Sequence, residues 1–331
     1  MAWELSGSGV GMGDNARMQQ TPTSETPATW HVLGAGAMGC LWASSLASCG
    51  NAVRLLLREP PAQARSLDIR LNGLDGSRRE VQVCADGTGD ASPILKLLAC
   101  TKAPALLPAL ERIAHRIAPG ATVVLLQNGM GFHEAVAALL PGARVFCALT
   151  TEGAFREGAF TVHHAGRGET LLGAWSQTDA AAAPALAAEL GRGGLRVRIA
   201  EDIREALWKK LAVNCAINPL TALQGCPNGA LLERPALRRE FDALCAELAT
   251  VLKGLGHTDI ATSIGQDAAR VAQATAANRS SMRQDLEAGR ETEIAFITGF
   301  LCERARIAGL PCPLNEALYG AVRERERRAA N

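Results

Sequence analysis

No run of apolar residues in this chain comes near the roughly 20 that a membrane-spanning helix requires. The longest, such as Ala121 to Leu126, are far shorter, which argues against a helical membrane protein. Charge of one sign is not in excess either. The 34 basic side chains face 33 acidic ones, a formal net charge of +1, so no bulk attraction draws the chain to nucleic acid or to an anionic membrane. The ten cysteines form no C-x-x-C pair, and the six histidines form no H-E-x-x-H and no Cys/His cluster. That argues against a disulfide framework or a metal site, and for reduced, mostly buried thiols. His163 and His164 read as neighbours on one strand, pointing to opposite faces. The N-terminus lacks the basic segment and apolar run of a secretory signal, so a cytoplasmic location is expected. Lysine is scarce: only five of the 34 basic residues are Lys, and Lys102, Lys209 and Lys210 are three of them.

What is present is ordinary globular composition, 48% hydrophobic and 20% charged, on a chain of 331 residues, a length that favours two domains over one. Residues 1–29 are rich in Gly, Ser, Thr, Pro and Gln and have no apolar period. They are expected to be a disordered tail that contributes nothing to fold or catalysis, and Met18 is a possible alternative start. The run Gly7-Ser8-Gly9-Val10-Gly11-Met12-Gly13 imitates a phosphate loop, but no strand precedes it and no amphipathic helix follows.

From Trp30 onward short apolar runs alternate with helical stretches, as in βαβ units. The expected strands are His31–Leu33, Val53–Leu57, Leu95–Cys100, Thr122–Leu126 and Val145–Leu149. Two antiparallel pairs are expected besides, Ile69–Leu71 with Val81–Cys84 and Ala159–His164 with Thr170–Leu172. From Asp202 to about Arg328 the apolar spacing is helical, for example Phe241, Leu244, Cys245, Leu248, Val251 and Leu252. The fold class is therefore α/β: a Rossmann-type doubly wound sheet over 30–200, then an all-helical C-terminal domain over 201–331.

Trp30-His31-Val32-Leu33 runs into Gly34-Ala35-Gly36-Ala37-Met38-Gly39, with a helix beyond. This is G-x-G-x-x-G in its working context. The first Gly permits the tight turn, the second lets backbone N–H groups approach a pyrophosphate, and the third packs helix on strand. The second strand ends at Arg58, where a guanidinium suits the 2′-phosphate of NADPH; Glu59 beside it is the residue that would suit NAD. Lys102 and Asn128-Gly129 follow two further strands, at the carboxyl edge where such sheets bind ligands.

The most specific segment is Ala206 to Leu220. In an otherwise apolar helix Lys210, Asn214 and Asn218 recur at i, i+4 and i+8, along one side. Burying an ammonium and two amides is costly unless they are paired, so the stripe is either a ligand site or a structural polar network, with Lys210 snorkelling to solvent as a further possibility. By periodicity alone Asn278 to Met282 and Glu291 to Ile294 are capping and surface residues, and the Glu/Arg run after Tyr319 is a solvated helix face.

Over roughly residues 30–325 the chain resembles ketopantoate reductase, or 2-dehydropantoate 2-reductase. The resemblance is carried, in order, by Leu33 to Gly39, Asn128-Gly129-Met130-Gly131, Glu205 to Ala222, Cys226-Pro227-Asn228-Gly229, Ser280-Ser281-Met282 and Thr292-Glu293-Ile294. It implies NADPH-dependent reduction of ketopantoate to (R)-pantoate in pantothenate biosynthesis, by a monomer or homodimer acting on a small 2-oxo acid. It further implies Lys210 as general acid with Glu293 assisting. Asn128, Asn214, Asn218 and Ser281 would be on the substrate, and Gly34 to Gly39, Arg58, Lys102 and Asn128 on the cofactor. Three features depart from the family pattern: the added tail, Pro104 just after Lys102, and Glu59 beside Arg58. Two rival functions are a reductase of another 2-oxo acid and a non-catalytic NADPH-binding sensor.

Overall fold

The computed structural model describes residues 29–59, 66–87 and 89–330; the expected tail, apart from Thr29, lies outside the described residues. The chain begins with β1 (Trp30–Leu33), α1 (Ala37–Ser48), β2 (Val53–Leu57), β3 (Ser66–Asn72), β4 (Arg78–Gly87) and β5 (Ile94–Ala99). It continues through α2 (Ala103–Ile113), β6 (Ile117–Leu125), α3 (His133–Leu139), β7 (Arg144–Thr150), β8 (Gly153–Gly158) and β9 (Thr161–Gly166). The strand-bearing part closes with β10 (Thr170–Ala174), α4 (Ala183–Gly191) and β11 (Val197–Ile199). Only helices follow: α5 (Ile203–Gln224), α6 (Ala230–Glu233), α7 (Pro235–Gly254), α8 (Thr258–Ala274), α9 (Ser281–Glu287), α10 (Thr298–Ile307) and α11 (Pro313–Ala330), with short 3-10 turns between some elements.

The described strands form one mostly parallel sheet in the order β11-β10-β7-β6-β5-β1-β2-β4-β3-β9-β8. The order reverses at β1, which pairs in parallel with both β2 and β5, so the loops leaving β1 and β5 part at a topological switch point, the usual ligand crevice of such sheets. One sheet face packs on α1 and α4 around Trp30, Trp42, Leu46 and Phe146. The other packs on α2 and α3, and its core runs on without a break into the helical region through Phe132, Trp175, Ile203 and Leu207.

The β3/β4 pair is antiparallel, as the sequence suggests. The second expected pair is not formed. β9 pairs antiparallel with β8 and parallel with β3, whereas β10 pairs antiparallel with β7. The reason is local: a tight turn with Phe160 at a φ of 59° folds β9 back on β8, a strand whose Arg156 and Glu157 hide it from a hydrophobic reading. Pro104 fits where it stands, in the first turn of α2, since amides there have no partner within the helix. All ten cysteines are free, most of them buried. Among the described residues no helix is long and apolar enough to cross a membrane.

Candidate active site

The glycine loop leaves β1 at Gly34, whose φ of +101° is a left-handed conformation that glycine alone adopts freely. A Cβ there would also lie 2.7 Å from the Thr101 amide at the end of β5. A Cβ on Gly39 would overlap the Gly34 carbonyl oxygen, so that residue seats α1 directly on the loop. Around Gly36 the space is open, with nothing within 4 Å of an added Cβ. Gly36 caps α1 without any side-chain hydrogen bond, and the first turn carries no acid, so its amide N–H groups are left to an anion. Beside the loop a cleft of about 390 Å³ is lined by Gly34, Ala35, Leu57, Arg58, Thr101 and Arg112, among others. Arg58 is exposed at its rim, just beyond β2. Arg112, in the last turn of α2, supplies a second guanidinium that sequence reading misses, because nothing in its local pattern separates it from a solvated helix residue.

The lysine-asparagine stripe lies on α5. The Asp202 side chain caps this helix, accepting from the Arg204 amide at 2.8 Å and the Glu205 amide at 3.1 Å. A cap of this kind is worth about 1 kcal/mol. The helix then runs through the middle of the helical region, against α7, α8, α9, α10 and α11. Lys210 Nζ donates to the Thr150 carbonyl at the end of β7, 2.7 Å away. Burial lowers the pKa of this ammonium to about 8, against an opposing pull from the Glu293 carboxylate. Asn214 and Asn218 follow on the same side, and their side chains make no hydrogen bond among the described residues. Lys209 is separate: its half-exposed ammonium pairs with Asp267 on α8 at 2.8 Å.

Glu293 comes from the segment between α9 and α10. Its Oε1 accepts from the Ala103 amide at the start of α2 (3.1 Å), and its Oε2 accepts from Asn128 Nδ2 after β6 (3.0 Å). Burial raises its pKa, and these two hydrogen bonds pull the other way. The Asn128 loop is clasped a second time, since Met130 N–H donates to the Phe296 carbonyl at 2.8 Å. Gly129, at φ +87°, is where that clasp needs glycine: a Cβ would run into the Phe296 carbonyl. The structure thus brings Lys210, Glu293 and Asn128 to one seam between the sheet edge and the helical region.

Two expected site residues sit differently. Lys102 Nζ pairs with Asp285 of α9 at 2.7 Å and donates to the Glu291 carbonyl at 3.2 Å, tying the sheet edge to the helical region. Ser281 is exposed at the first position of α9; the buried member of the serine pair is Ser280, whose hydroxyl accepts from Thr221 Oγ1 and from the Arg283 amide.

The family model described as ketopantoate reductase PanE/ApbA matches residues 30–177, and its C-terminal counterpart matches residues 202–326. The chain belongs to the ketopantoate reductase PanE/ApbA family. It is 36% identical over 300 residues to the 2-dehydropantoate 2-reductase of Salmonella typhi, spanning 89% of this chain and 94% of that one. It is 34% identical over 300 residues to that of Halobacterium salinarum, spanning 89% and 98%. Among solved structures, the PanE/ApbA family ketopantoate reductase from Ralstonia eutropha JMP134 superposes with a TM-score of 0.79 at 27% identity, over 92% of this chain and all of that one, 100%. A D-mandelate dehydrogenase superposes at 0.83 with 22% identity, over 92% of this chain and 100% of that one, a likeness of fold. The chain is accordingly an oxidoreductase of the ketopantoate reductase family.

Glu326 departs most from the local pattern. It lies in the Glu/Arg run whose period reads as a solvated face, yet its side chain is largely buried, and its Oε1 accepts from both the amide and the hydroxyl of Thr292, each at 2.7 Å. That contact anchors the backbone next to Glu293.

Proposed function

We propose that this reductase converts 2-dehydropantoate to (R)-pantoate at the expense of NADPH, as a step of pantothenate biosynthesis. Residues 30–200 serve as the dinucleotide-binding domain and residues 201–331 as the substrate and catalytic domain. The observation that carries the reading is the place of Lys210: a partly desolvated ammonium at the seam, with two uncommitted asparagines behind it and Glu293 in electrostatic reach. The open space at Gly36 and the free amides of α1 fit a pyrophosphate, and Arg58 with Arg112 fits a 2′-phosphate.

When bound, the reduced nicotinamide supplies a hydride. Lys210 donates its proton to the 2-oxo oxygen as the C–H bond forms at C2, so that the carbonyl becomes a hydroxyl without free alkoxide. With a pKa of about 8 the ammonium is mostly protonated at neutral pH and still a competent acid. Glu293 holds Asn128 and the start of α2 in place and offers a carboxylate to a substrate hydroxyl. Asn214, Asn218 and Ser281 provide hydrogen bonds for the carboxylate and hydroxyl of the acid. Lys102 contributes to the cofactor site once its pairing with Asp285 is exchanged for a phosphate oxygen. The protein acts in the cytoplasm as a monomer or homodimer.

The test is a panel of 2-oxo acids, ketopantoate and phenylglyoxylate included, assayed with NADPH and with NADH. The highest kcat/KM is expected for ketopantoate with NADPH. A higher value for another 2-oxo acid would replace the substrate, and no turnover with any would leave a nucleotide-binding protein.

A further inference from the structure

One cation at the glycine loop belongs to neither the sequence motif nor the seam. Strands β8 and β9 are last in the sheet order, yet the sheet curls so far that both pack against α1. This brings Arg156 of β8 to a loop 121 residues away in sequence, where its Nη1 donates to the Ala35 carbonyl at 3.3 Å. Its charge also reaches the first turn of α1, where it partly offsets the burial that pushes the Cys40 thiol up.

The guanidinium carries five N–H donors in a planar fork, and only this one contact engages it among the described residues. The acids nearest in sequence are turned elsewhere: Glu157, the next residue on β8 and so on the opposite face, pairs with His163 at 2.7 Å, and Glu152 pairs with His164 at 2.6 Å. An arginine left without a counter-charge is therefore held at the rim of a loop whose floor is free amide N–H and whose middle, at Gly36, is open. Amides below and a guanidinium at the edge are what a diphosphate needs, since it presents oxygens on more than one side.

We propose that Arg156 is a diphosphate clamp, closing from β8 over the glycine loop onto the pyrophosphate of the dinucleotide. The assignment rests on the reading that the loop binds NADPH, and deepens it by separating two cationic subsites. Arg156 recognises the diphosphate common to NADPH, NADH and ADP-ribose, whereas Arg58 and Arg112 line the cleft suited to the 2′-phosphate.

Titration calorimetry on the full-length protein with four nucleotides tests this: NADPH, NADH, ADP-ribose, and 2′-AMP, which lacks the diphosphate. Because a charge-assisted hydrogen bond is removed, Arg156→Ala is expected to raise the Kd of NADPH, NADH and ADP-ribose by similar factors, about 10- to 100-fold. The Kd of 2′-AMP should stay near that of the unaltered protein. Arg156→Lys should recover part of the loss, and the salt dependence of NADPH binding should flatten in Arg156→Ala. Arg156 is exposed, so the substitution should leave the melting temperature unchanged, which the same samples report. Unchanged Kd values for NADPH and ADP-ribose, or an equal loss for 2′-AMP, would overturn the clamp and leave the dinucleotide site standing. Failure of the unaltered protein to bind any of the four would overturn both.

Discussion

The Glu293 carboxylate, carried by the helical region, accepts a hydrogen bond from the backbone N–H of Ala103 at the start of α2, 190 residues earlier in the chain. One side chain thereby joins the carboxyl edge of the sheet to the segment that faces Lys210. Its negative charge favours the ammonium form of Lys210, against burial that lowers the lysine to about 8. Glu293→Gln keeps a similar shape without the charge. The alkaline limb of the kcat/KM profile, set by loss of the Lys210 proton, should then move to lower pH by up to about one unit. A limb that stays in place would mean the two groups are not coupled.

Gly129→Ala tests the second clasp. The added methyl meets the Phe296 carbonyl, and φ +87° is strained for any L side chain, so the Met130–Phe296 hydrogen bond must open. Strain of this kind costs about 1–3 kcal/mol, and thermal melting should show a loss of that size. Activity should fall with it, because Asn128 precedes this turn. Full stability and activity in the variant would show that the loop yields freely.

Arg58→Ala should raise the KM for NADPH about 10- to 100-fold and leave that for NADH almost unchanged, since only the former carries the 2′-phosphate. Arg112→Ala, from the other wall of the same cleft, should act in the same direction. Steady-state kinetics with both cofactors decide it; an equal loss with each would make Arg58 a general surface charge.

The parts of the fold legible in the sequence were those written in local pattern. Short apolar strands, a glycine loop between strand and helix, and the 3.6-residue period after Asp202 all correspond to elements of the structure. The partner of β9 was not legible, because β8 is exposed and charged and its pairing is decided by the turn at Phe160 and by the curl of the sheet over α1. In the candidate site, the alignment of Lys210, Asn214 and Asn218 follows from helix geometry and could be read directly. Contacts between elements distant in sequence could not. Lys102 is held by Asp285 and Arg156 reaches Ala35, each across more than a hundred residues, and Glu326 anchors Thr292 from 34 residues away; all three depend on packing between elements that no local period encodes.

The central claim is that Lys210 is the acid that protonates the 2-oxo oxygen, and its most direct test is kcat with ketopantoate in Lys210→Ala beside Lys209→Ala. Lys209 is the internal control: it sits one residue away on α5, about 100° round the helix, with its ammonium on Asp267. General acid catalysis is worth about 10² to 10⁴ in rate. Lys210→Ala should lose kcat by that order while the Kd for NADPH stays near that of the unaltered protein, and Lys209→Ala should lose far less. Equal losses in the two variants, or a Lys210→Ala protein that keeps most of its turnover, would contradict the assignment and leave Lys210 as a structural bond to the Thr150 carbonyl.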